Sequence, residues 1–68
     1  MSCAAPRYPD VHVRLRTGNP YALVSATRLA LRRAGTDRDE IERFTEEAVS
    51  SGDPERMRQL CRIWVRIE

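Results

Sequence analysis

Twice in this chain a capping side chain is followed directly by proline, at Asn19-Pro20 and at Asp53-Pro54. A side-chain oxygen at the N-cap accepts one of the free backbone N–H groups, and proline at the first helical position gives up no hydrogen bond. Each pair therefore marks a helix start. Gly35 and Gly52 mark helix ends, because the residue that follows a helix often turns left-handed, a conformation glycine adopts without strain. Between them, Thr36-Asp37-Arg38-Asp39 has the spacing of a capping box with aspartate in its last position, so Thr36 is the expected cap of a further helix. Three short helices are the result.

Periodicity fills in their faces. In the first helix Leu23, Val24, Ala26, Thr27, Ala30, Leu31 and Ala34 cover one side at 100° per residue. Tyr21, Ser25, Arg28 and Arg32 cluster opposite them, flanked by Leu29 and Arg33. Ile41, Phe44, Thr45 and Ala48 form the stripe of the second helix, and Met57, Leu60, Cys61 and Trp64 that of the third. Before the first helix, residues 11–16 alternate strictly, with Val11, Val13 and Leu15 on one face and His12, Arg14 and Arg16 on the other. That period of two is a half-buried strand. Residues 63–67 alternate in the same way, although Trp64 also continues the third helical stripe. A lone first strand would leave its backbone groups unpaired, so the expectation is a helix to Arg62 and a strand from Ile63 to Ile67.

The expected fold is thus α+β and mostly helical, β-α-α-α-β, with three helices packed on a two-stranded terminal sheet. Residues 1–10, with Pro6 and Pro9, read as a flexible arm and residues 11–68 as one small domain. A domain of this size buries only about 60% of the surface its unfolded chain exposes, and such domains commonly need a staple. Cys3 and Cys61 fit neither a disulfide framework nor a metal-ligand spacing, and read as free thiols in a reducing compartment. Self-association is the staple that remains, through sheet edges or helix faces, and a homodimer is expected. With no signal-peptide or membrane-spanning run, the expected location is cytoplasmic.

Charge is segregated along the chain. Residues 1–36 hold six arginines against Asp10, a net of +5, while residues 37–55 hold eight acids against Arg38 and Arg43, a net of −6. Residues 56–68 return to +3, with four arginines against Glu68. All twelve basic residues in the Lys and Arg classes are arginine. The planar guanidinium fork suits carboxylates, phosphates and aromatic faces, so the placement of the arginines points to recognition.

Catalytic readings find no support in the spacing. His12, the single histidine, has no nucleophile or carboxylate at a defined distance from it in sequence. The acids of the second helix alternate with Arg38 and Arg43 at i, i+4, which is the ladder of a solvated helix and not a metal site. No enzyme, cofactor or metal is expected. Binding is the better reading, through Arg14, Arg16, Tyr21, Arg28, Leu29, Arg32 and Arg33, with Arg58 and Arg62 as a second group. Leu29 is the most telling of these, an apolar residue on a polar face. Basic and acidic surfaces on one body favour a protein partner or a second copy of the chain. The alternative is a small nucleic-acid-binding regulator using the arginines and Tyr21 of the first helix, against which the acidic second helix counts.

Certain motifs carry a resemblance. They are Gly18-Asn19-x-Tyr21-Ala22, Ala30-Leu31-Arg32-Arg33-Ala34-Gly35, Glu40-Ile41, Glu46-Glu47-Ala48, Ser51-Gly52-Asp53 and Trp64-Val65-x-x-Glu68. From Gly18 to Glu68 the chain resembles a loose group of small uncharacterised proteins of phages, prophages and bacteria. The resemblance implies the same fold outline and a mobile-element setting. It implies no functional residue, since that group has no known activity.

Overall fold

The computed structural model describes residues 6–16 and 18–68. Cys3 and the first half of the expected arm, residues 1–5, lie outside these, as does Thr17. The elements run β1 (Tyr8–Val13), α1 (Pro20–Arg33), α2 (Arg38–Ser51), α3 (Pro54–Trp64) and β2 (Val65–Ile67). The expected order β-α-α-α-β therefore holds, and the two strands pair in parallel. Parallel pairing requires a long crossover, which the three helices supply.

Each helix starts where its cap dictates. The Tyr21 N–H donates to Asn19 Oδ1 at 3.0 Å, and the Glu55 N–H donates to Asp53 Oδ1 at 3.0 Å. The cap of α2 is Asp37, not Thr36, with the Asp39 N–H donating to Asp37 Oδ1 at 3.5 Å. Gly35, at φ +80°, donates to Arg32 O at 3.1 Å, and Thr36 donates to Leu31 O at 3.0 Å. This 5→2 and 6→1 pair satisfies the last carbonyls of α1. Gly52, at φ +64°, ends α2.

The strands differ from expectation in their limits. The first begins at Tyr8 and ends at Val13, three residues earlier at each end than the alternation implies, so Tyr8 to Asp10 of the expected arm belong to the sheet. Helix α3 continues through Ile63 and Trp64, and β2 begins only at Val65. The starts of both strands have one cause. Trp64 is buried and stays on the stripe of Met57 and Cys61, which holds the backbone helical for two more residues. Its ring then stacks on Tyr8, with centroids 5.8 Å apart and planes inclined by 25°, and this contact draws the start of β1 towards the end of α3. Arg7 N donates to Ile63 O at 2.9 Å, and Arg66 Nε donates to Pro9 O at 2.9 Å, which fixes the same segment. The register is Tyr8 to Val65, His12 to Arg66 and Val13 to Ile67, with a bulge between Tyr8 and His12.

One core joins all five elements. Val11, Val13, Leu23, Val24, Leu31, Phe44, Ala48, Met57, Cys61, Trp64 and Val65 are buried in one cluster. Thr27 is the buried polar residue, and its hydroxyl donates to Leu23 O at 2.8 Å within its own helix. Phe44 meets Trp64 at 5.3 Å and a tilt of 58°, and the Arg7 guanidinium lies 4.7 Å from the centroid of the same ring. Aromatic pairs of this kind contribute about 0.5–1.5 kcal/mol beyond the area they bury.

Truncating Trp64 removes these contacts together. Large-to-small substitution of a buried aromatic costs ~3–5 kcal/mol, as much as a core of this size usually supplies. Trp64→Ala is therefore expected to abolish the cooperative urea transition followed by far-UV circular dichroism. Trp64→Phe, which keeps an aromatic ring in place, is expected to retain it.

Candidate functional site

Helix α1 presents its polar side outward because its apolar stripe is held in the core. Along this outer side Tyr21, Ser25, Arg28 and Arg32 follow one another at i, i+4, i+7 and i+11. Leu29 projects beside them and remains 47% exposed, with Tyr21 at 59%. On α2, Arg38, Ile41 and Glu42 form the facing wall of a groove of about 550 Å³ that Ser25, Arg28, Leu29 and Arg32 complete. A second groove, of about 450 Å³, lies on the other flank of α1. There Leu29, Ala30 and Arg33 face Val11, Val13 and Arg14 from β1 and the residues that follow it. Leu29 lines both grooves and forms the ridge between them.

The groove between α1 and α2 is electropositive. Three arginines line it against Glu42, and Glu42 already meets Arg38 at 3.6 Å. Among the described residues Arg28, Arg32 and Arg33 form no ion pair, so their donors are directed at solvent. An apolar ridge among unpaired guanidinium groups can bury a side chain and accept carboxylates at the same time.

The other expected binding residues divide differently. Arg14 and Arg16 follow the last residue of β1 and are not on its outward face. Arg14 Nε donates to Glu68 Oε2 at 2.7 Å, and His12 Nδ1 lies 2.8 Å from Glu68 Oε1. The hydrogen bond from Arg14, followed by that from His12, holds the Glu68 carboxyl below its ordinary range, while Glu68 raises Arg14. Arg58 is also engaged, with Nη2 donating to Gly18 O at 2.7 Å and Nη1 lying 3.7 Å from Glu55. It fastens α3 to the turn before α1. Arg62 is exposed but lines neither α1 groove. Thus Arg28, Leu29, Arg32 and Arg33 share one surface, Tyr21 extends it along α1, and Arg58 and Arg62 lie apart.

Two further exposed apolar residues lie outside the sequence expectation, Val49 at 58% and Ile63 at 59%. Val49 lies off the stripe of α2 just as Leu29 lies off that of α1, and the same criterion finds it. The alternation of residues 63–67 places Ile63 in a strand, where its exposure is not legible. Trp64, by contrast, belongs to the core.

Cys61 is buried and free of any disulfide, and burial pushes its thiol up. Among the described residues no three His, Cys, Asp or Glu side chains converge to hold a metal ion. No described helix is long and apolar enough to cross a membrane. No family model, curated protein or solved structure matches the chain.

The clasp at Glu68 makes a pH prediction. A carboxylate whose folded pKa is depressed adds stability that is present above its unfolded pKa and is lost as pH falls through the folded one. Carboxyl chemical shifts should give Glu68 a midpoint below the ordinary glutamate value. Arg14→Ala is expected to move that midpoint upward, and His12→Ala to move it less.

Proposed function

We propose that the chain is a non-enzymatic interaction module, a regulator or adaptor in the cytoplasm, whose outer α1 surface docks an acidic segment of a protein partner. The observation that carries this reading is Leu29, half exposed at the ridge of two grooves and surrounded by Arg28, Arg32 and Arg33 without ion-pair partners among the described residues. Apolar anchors beside arginine are the composition of interface hot spots, where a buried side chain supplies most of the energy and the charges set orientation. Tyr21, on the same side of α1, adds a large amphipathic contact at low entropic cost. A free, buried Cys61 suits a reducing compartment.

Charge chooses the kind of partner. The groove between α1 and α2 holds three arginines and one glutamate, so a second copy seated there about a twofold axis would set like charges against each other. A segment bearing Asp or Glu around one apolar side chain complements it. Nucleic acid matches the arginines but not the apolar ridge or the acids on α2, including Glu42 in the wall of the same groove.

The probe is a synthetic helical peptide with leucine on one face and glutamate on the other, titrated by fluorescence anisotropy against a random DNA duplex. Peptide binding is expected, with Leu29→Asp abolishing it and Arg28→Glu/Arg32→Glu weakening it about tenfold or more, equivalent to about 1.4 kcal/mol. Tighter binding of the duplex, unaffected by Leu29→Asp and falling steeply between about 50 and 200 mM salt, would replace this reading with the nucleic-acid one.

A further inference from the structure

A third groove, of about 380 Å³, runs along the opposite flank of α2, between that helix and α3. Glu47 and Ser50 stand on its α2 wall, and Arg56, Gln59, Leu60 and Ile63 on its α3 wall. The α3 residues recur at i, i+3, i+4 and i+7, the spacing with which one helix presents a continuous edge to another. Leu60 is half-buried and Ile63 is 59% exposed, so the middle of this edge is apolar and open. Its charges balance, with Glu47 on one wall and Arg56 on the other. Neither forms an ion pair among the described residues.

We propose that a second copy of this chain occupies the groove between α2 and α3, forming a symmetric dimer. A twofold axis crossing the groove sets the α2 wall of each protomer against the α3 wall of the other. Glu47 then meets Arg56 of the second copy, Arg56 meets Glu47 of the second copy, and the two Ile63 side chains close the apolar middle. Opposite charges on opposite walls are what an isologous interface needs, because each surface must complement itself. The groove between α1 and α2, with its excess of arginine, fails that condition.

The sheet edges are the competing joint, and they are blunted. Pro9 has no N–H to donate, the bulge between Tyr8 and His12 interrupts the ladder, and β2 has only three residues. These are devices by which strands resist pairing with a further chain. The dimer would leave Arg28, Leu29 and Arg32 of both protomers outside the joint, because they line the other flank of α2.

The test is sedimentation equilibrium of the full 68-residue chain at tens of micromolar, with circular dichroism confirming that each variant stays helical. Wild type is expected to show twice the 7.8 kDa chain mass and to dissociate on dilution. Ile63→Asp should be monomeric, and Glu47→Arg or Arg56→Glu alone should each weaken association about tenfold or more. Mixing these two single variants restores opposite charge at both cross-pairs, because each chain then carries one sign at both positions and its partner the other. Native mass spectrometry of the mixture should therefore find the heterodimer in preference to either homodimer. A wild-type monomer at these concentrations overturns the proposal. So does a dimer that survives Ile63→Asp, or a mixture of the two variants that forms no heterodimer.

Discussion

Trp64 is the residue on which the arrangement of this chain turns. It ends α3, lies in the core against Phe44 of α2, and stacks on Tyr8 of β1. Because its ring must stay on the helical stripe, the backbone leaves the helix only after it, at Val65. That single choice determines which three residues remain to form β2, and so how long the sheet can be. It also leaves Ile63 on the outside of α3. Arg7 closes the ring from solvent, lying 4.7 Å from its centroid and 3.4 Å from Glu40.

The arginines are not one population. Arg7, Arg14, Arg58 and Arg66 are engaged with ring, carboxylate or carbonyl partners and join segments distant in sequence. Three of these four connect the termini to the body, which a small domain with a short sheet needs. Arg38 pairs along its own helix with Glu42. Arg28, Arg32 and Arg33 face outward around Leu29 without ion-pair partners among the described residues, and Arg56 stands likewise across a groove from Glu47. Arg28, Arg32, Arg33 and Arg56 thus line grooves in which an apolar side chain is also exposed. A charged residue beside an apolar one is what a desolvated contact needs, because burial strengthens the ion pair that orients the anchor.

Three flanks of the helical layer thus differ in character. The groove between α1 and α2 is electropositive, the groove beside β1 shares its Leu29 ridge, and the groove between α2 and α3 is balanced. The acidic segment we propose for the first and the second copy we propose for the third are distinguished by charge sign. Helix α2 stands between them, and its two flanks carry opposite ends of that distinction.

The number of helices, the starts of α1 and α3 and the stops of α1 and α2 were legible in the sequence because capping is local. Asn19-Pro20, Asp53-Pro54, Gly35 and Gly52 act through the backbone within one turn of themselves, whatever the rest of the chain does. The buried faces were legible for the same reason, as stripes of Leu23, Thr27 and Leu31 or of Met57, Cys61 and Trp64. So was the exposed position of Leu29. What the tertiary structure decided were the limits of the strands, the residue that caps α2, and the sorting of the arginines. Tyr8 joins a strand because the ring of Trp64, far along the chain, stacks on it, and Asp37 caps α2 where the capping-box spacing points to Thr36. Arg14 is paired with Glu68 while still lining the groove beside β1, and Arg58 is taken up by the Gly18 carbonyl. The strand limits and the sorting of the arginines depend on partners distant in sequence, and periodicity carries no information about those.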